Sequence, residues 1–128
     1  MAEFSKTSKT NLKQCHIDLQ TLFNEVIQIV DCSVICGHRG EKAQNEAFDK
    51  GFSKVRFPNG KHNKKPAMAV DVMKYPINWE NKQEAIEFME FVMKIADRLL
   101  KEGKIKHRIE AGGRWVTFPD LPHYQIHE

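Results

Sequence analysis

No run of about 18 apolar residues occurs anywhere in the 128-residue chain, so no segment can be expected to cross a membrane as a helix. The opening stretch, MAEFSKTSKTNLKQ, lacks the apolar core that a secretory signal needs. The expectation is synthesis in the cytoplasm without a signal peptide, with any action elsewhere depending on another route of release. Cysteine is sparse and odd in number: Cys15, Cys32 and Cys36 exclude a complete disulfide framework. Cys32-x3-Cys36 has no second pair to complete a metal site, and Cys36 ends the apolar run Val34-Ile35-Cys36. Structural thiols are expected, since free cysteine is commonly buried. The His-Glu-x-x-His helix of many metallopeptidases is also absent.

Composition excludes long disorder: 41% of residues are hydrophobic and 29% charged, as in ordinary soluble domains. The formal net charge of +3 suits an anionic polymer such as cell wall or nucleic acid, but selects neither. The length fits one domain, taken as residues 1–128 with a core over 12–127.

Leu12, Cys15, Leu19, Leu22, Phe23, Val26, Ile27 and Val30 recur at steps near three and four, which predicts one amphipathic helix with Ser8 or Thr10 as N-cap. Val34–Cys36 reads as a short strand, Glu41–Lys50 as a helix closed by Gly51, and 51–66 as a long loop of the kind that often carries function. Ala67–Met73 reads as a buried strand, Glu84–Lys101 as the longest helix, and Ile105–Ile109, Trp115–Phe118 and Pro122–Ile126 as strands. The fold class expected is α+β: a small, mostly antiparallel sheet with about three helices.

Within this frame, Asp71 interrupts an apolar strand. A carboxylate there is costly to bury unless it is paired or bound to metal; a strand-end hydrogen bond is the alternative. His62 ends the preceding loop and can fold back beside Asp71, and His123 can join them if the last strand neighbours the Asp71 strand. Two imidazoles and a carboxylate suit a catalytic zinc site, which leaves a position open to water. Asp120, three residues before His123, can serve as the carboxylate that moves a proton. His16, His38, His107 and His127 read as surface or packing residues.

The stretch GHRGEKAQNEAFDKGFSKVRFPNGKHNKKPAMAVDVMKYPINW, followed by GGRW and DLPHYQI, resembles the phage endolysins among the VanY-type zinc peptidases. That group includes D-alanyl-D-alanine carboxypeptidases and has a hedgehog-like fold. The matching pieces are Gly60-Lys61-His62, Ala69-Val70-Asp71 and Asp120-Leu121-Pro122-His123. The resemblance implies that His62, Asp71 and His123 bind Zn2+, that Asp120 is the catalytic base and that Arg39 grips a substrate carboxylate or the developing oxyanion. Gln44, five residues after Arg39, can support the site. The implied activity is cleavage of peptidoglycan stem peptides, at the L-alanyl-D-glutamate bond, by a lysin that reaches the periplasm after release. The implied partner is the peptidoglycan peptide, not nucleic acid; neither stable membrane insertion nor oligomerisation is expected. A D-alanyl-D-alanine carboxypeptidase and a non-catalytic zinc module that binds cell wall are the alternatives. A His-Asn nuclease built on His62-Asn63 would leave Asp71, Asp120 and His123 unused. The chain departs from the family pattern in three places: His62 and Asp71 stand nine positions apart, wider than in many relatives; Gly60 replaces a serine; and Arg114 occupies the Gly-Gly-x-Trp turn.

Overall fold

The computed structural model describes residues 2–117 and 119–127. Its elements run α1 (Lys6–Lys13), α2 (Ile17–Val26), β1 (Cys32–Cys36), α3 (Glu41–Asp49), β2 (Ala69–Lys74), α4 (Lys82–Lys101), β3 (Ile109–Ala111) and β4 (His123–Ile126). Single 3-10 turns occupy Lys61–Asn63 and Gly112–Arg114. The strands form one antiparallel sheet in the order β1-β2-β4-β3. The α+β class expected from the sequence is the one observed, and no described helix is long and apolar enough to cross a membrane.

The helix anticipated from Leu12 to Val30 is two helices. Its apolar spacing continues across the break because both helices face the same core. Between them Cys15 bridges Ala67 in strand-like fashion: the His16 amide donates to Ala67 O at 2.9 Å, and the Ala67 amide to Gln14 O at 2.9 Å. Ser5, rather than Ser8 or Thr10, caps α1 through its hydroxyl, and His16 caps α2. Ser8 is instead buried, its hydroxyl accepting from the Val34 amide at 2.9 Å.

The last strands also differ from expectation. Ile105 is buried but lies outside the sheet. Its neighbours Lys106 and His107 donate their amides to Asp18 Oδ2, each at 3.0 Å. Trp115–Thr117 form no strand, because the Gly112–Arg114 turn redirects the chain; Phe118 lies outside the described residues. Arg114 fastens that turn to α4 through two bonds to Glu90, 3.2 and 2.9 Å long.

Alternation along the strands gives the sheet two unlike faces. Val34, Val70, Val72, Ile109, Ala111, Tyr124 and Ile126 enter the core, which α2 and α4 cover with Leu19, Leu22, Phe23, Val92 and Leu99. The Phe23 and Tyr124 rings meet edge to face at 5.2 Å. Each fully buried side chain of this size contributes roughly 1.5–3 kcal/mol. Asp71, Glu110, His123 and Gln125 alternate with these residues and belong to the opposite face.

Candidate metal centre

Strand register brings the polar residues of that second face together. Asp71 on β2 pairs with His123 on β4 and, across its other edge, with Cys36 on β1. The second pairing depends on a β-bulge between Val34 and Cys36. The extra residue, Ile35, lets Cys36 rather than Ile35 stand opposite Asp71, and a bulge commonly re-aims side chains in this way.

His62 arrives from the 3-10 turn. Its carbonyl accepts from the Arg39 amide at 2.8 Å, the Lys61 carbonyl accepts from the Met68 amide at 2.9 Å, and Asn63 donates to Arg39 O at 2.8 Å. These bonds join the Arg39 turn to the His62 turn. His62 Nε2 then lies 3.2 Å and His123 Nδ1 3.3 Å from the same oxygen, Asp71 Oδ1. Asp120 Oδ2 is 3.9 Å from His123 Nδ1, and Arg39 Nη2 is 3.5 Å from Asp71 Oδ2.

The far nitrogens of both imidazoles face acceptors. His62 Nδ1 lies 2.8 Å from Gly37 O, and His123 Nε2 lies 2.8 Å from Gln125 Oε1. A neutral imidazole has one N–H, and in each ring that proton belongs on the far side. Two bare nitrogens and a carboxylate oxygen are thus left facing one another. His62 Nε2 and Asp71 Oδ1 are buried without a hydrogen-bond partner. Three acceptors at this spacing call for a cation between them. Without a metal a proton can fill that role, and the electrostatics favour one on His62. Burial alone would lower the His62 pKa, yet Asp71 and Cys36 beside it push it up to about 10. Burial would raise the Asp71 pKa, yet His123 and His62 hold it well below the usual carboxylate range. Two overlapping groups here have ligand atoms close enough to hold a metal ion, Cys36 with His62 and Asp71, and Asp71 with Asp120 and His123; imidazole nitrogen and carboxylate oxygen are donors that suit a divalent cation.

Asp120 differs from Asp71. Burial first, and the charge of Asp71 second, raise its pKa against the opposing pull of His123, His62 and Arg39. A carboxyl group whose proton affinity is raised is suited to take up and return a proton.

These side chains share a cleft of about 380 Å³, walled by Phe52, Lys54, Val55 and Trp115. Gln44 is buried and ties its wall to its floor. Its amide nitrogen donates to Ser53 Oγ at 2.8 Å and Val55 O at 2.6 Å. Its oxygen accepts from Arg39 Nη1 and Asn63 Nδ2, both at 3.2 Å.

The structure therefore gathers Arg39, Gln44, His62, Asp71, Asp120 and His123 in one place. Sequence reasoning weighed Cys36 as a ligand and read it as a structural thiol, yet it stands beside this site. Its Sγ lies 3.8 Å from both His62 Nδ1 and Arg39 Nη2, and only the bulge, which has no sequence signature here, aims it so. Cys15 and Cys32 are buried, and burial pushes both thiols up to about 12. A second cluster, His16, Asp18 and His107, is satisfied internally. His107 Nδ1 meets Asp18 Oδ2 at 2.8 Å, and His16 Nδ1 accepts from the Asp18 amide at 3.0 Å.

Comparison with known proteins bears on what this cleft does. The model of the phage L-alanyl-D-glutamate peptidase family matches residues 1–125. Among solved structures, seven chains match. One is the Serratia marcescens L-Ala D-Glu endopeptidase ChiX, with a TM-score of 0.77 and 26% sequence identity over 98% of this chain and 90% of that one. No match was found among curated proteins.

Proposed function

The chain belongs to the phage L-alanyl-D-glutamate peptidase family, and from that premise we propose that it is a zinc-dependent endolysin cutting the L-alanyl-D-glutamate bond of peptidoglycan stem peptides. Peptidoglycan peptidase activity follows from the family and from the likeness to the Serratia endopeptidase. The metal, the bond and the residue roles are our reading. The observation that carries it is the convergence of His62 Nε2 and His123 Nδ1 on Asp71 Oδ1, with two of these atoms buried and unpartnered.

In this reading His62, Asp71 and His123 hold zinc. When bound, zinc supplies a Lewis acid for the scissile carbonyl and lowers the pKa of a water at the site. Asp120 takes the proton released as water attacks the L-alanyl carbonyl carbon. It returns that proton to the D-glutamyl nitrogen as the C–N bond breaks, leaving a carboxylate and an amine. Arg39 grips an anionic group of the stem peptide, for which the planar guanidinium is suited. Gln44 holds Arg39 and the Ser53–Val55 wall in fixed relation. All of these residues come from one chain, so the site needs no second copy, and in this reading the protein acts as a monomer on the wall after its release.

The test is digestion of purified peptidoglycan, with and without a chelator, followed by mass spectrometry of the products. New amino termini at D-glutamate, absent under chelation and restored by zinc, are expected. Loss of the terminal D-alanine alone would mark a carboxypeptidase, and unchanged muropeptides would remove the lysin reading.

A further inference from the structure

The two imidazoles of the centre are held from behind in different ways. Behind His62 stands the main-chain carbonyl of Gly37, at 2.8 Å, a partner that no side-chain substitution deletes. Behind His123 stands a side chain, Gln125, whose Oε1 is 2.8 Å from Nε2. An amide can offer an imidazole either its oxygen or its nitrogen, and the two orientations select opposite tautomers.

Glu110 removes that choice. A carboxylate only accepts hydrogen bonds, so the Gln125 nitrogen must turn to Glu110 Oε1, 3.2 Å away. The amide oxygen then faces His123, the imidazole proton sits on Nε2, and Nδ1 is left bare toward Asp71 and Asp120. Burial opposes ionisation of Glu110, but the bonds from Gln125, His127 and Trp115 lower its pKa. The same carboxylate also accepts from the Trp115 indole at 3.4 Å, and the Trp115 ring lies 5.1 Å from that of His123. Sheet register supplies the alignment, for Glu110 and Gln125 are cross-strand partners.

We propose that Glu110 and Gln125 are positioning residues that fix the His123 tautomer for metal binding, and that Glu110 also sets the Trp115 wall of the cleft. The inference rests on His123 being a zinc ligand. Partners of this kind behind a metal-bound histidine commonly govern metal affinity by about 10–100-fold.

The test compares the wild type, Gln125→Leu, and an exchange variant carrying both Glu110→Gln and Gln125→Glu. In the exchange variant the new carboxylate accepts from His123 Nε2–H and from the Gln introduced at position 110, so the relay is rebuilt with its charge moved. Two readouts are taken: the His123 tautomer in metal-free protein by nitrogen-15 NMR, and zinc affinity by competition with a chromophoric chelator. Gln125→Leu is expected to mix the His123 tautomers, leave His62 unchanged, and weaken zinc by about 10–100-fold; the exchange variant is expected to recover most of that loss. Wild-type tautomer and affinity in Gln125→Leu would overturn the inference, as would an exchange variant binding no tighter than Gln125→Leu. If Gln125→Leu does not fold, the exchange variant decides by its tautomer: Nε2–H supports the relay and a mixture overturns it. A wild type that binds no zinc overturns the metal reading instead, and the NMR readout still judges the relay.

Discussion

Replacing Gly112 by alanine adds one methyl group at a tight point behind the candidate centre. An ideal Cβ on Gly112 would stand 2.6 Å from Asp120 O and 2.9 Å from His123 Cβ. The φ of Gly112 is not positive, so the requirement is for space and not for a left-handed backbone. An ordinary contact needs about 3.5 Å, so the Asp120 carbonyl must retreat by nearly 1 Å. No flexible side-chain end can absorb this, because the obstructing atoms are a backbone oxygen and a Cβ. The Asp120 amide also bonds Gly112 O at 2.9 Å, so the two segments cannot part freely. Overpacking of this kind costs about 1–3 kcal/mol. At about 3–5 °C per kcal/mol for a chain of this size, the melting temperature should fall visibly. Displacing reacting groups by about 1 Å can cost about 100-fold in rate, so the loss of turnover should exceed what the fraction unfolded explains. Scanning calorimetry and muropeptide release from purified wall at a temperature where the variant is folded test both parts. A Gly112→Ala protein with wild-type melting and turnover would refute the claim that this turn sets Asp120 and His123.

Other outcomes follow from the same geometry. Asp120→Asn should keep its zinc while turnover falls by about 100- to 10,000-fold, the usual range for losing a general acid–base group; metal analysis beside a turnover assay checks the pair of results. Asp18 should make stability depend on acid pH. Burial opposes its ionisation, but bonds from His107 and from the Lys106 and His107 amides lower its pKa in the fold. The stabilisation is therefore present above the unfolded value of about 3.9 and is lost as pH falls through the lower folded value. Urea midpoints should show Asp18→Asn less stable than wild type at neutral pH, with the gap closing below about pH 4; a gap that stays constant with pH would contradict this.

What was legible in the sequence was whatever a local conflict betrays. Asp71 stands out because a charge breaks an apolar strand, and alternation along β2 and β4 is enough to place Asp71 and His123 on one face. The helices α3 and α4 follow from spacing and from Gly51 and Gly103, both at positive φ. What was not legible depends on distant partners. The break at Cys15 exists because Ala67 pairs there, and nothing local to residues 12–30 records that pairing. Ile105–Ile109 alternates like a strand, but Asp18 captures the amides of Lys106 and His107 before the sheet can. The reach of Cys36 toward the centre comes from one extra residue in β1, which shifts register by a step that the sequence does not mark.

The central claim, that two imidazoles and a carboxylate converge because they share one cation, is most directly tested by the metal content of the purified protein and of Asp71→Ala. The account predicts zinc equimolar with the wild-type chain, removed by chelation with a fall in melting temperature, and absent from folded Asp71→Ala. Wild-type protein that neither contains nor takes up zinc, or Asp71→Ala that holds it as tightly as the wild type, would contradict the account.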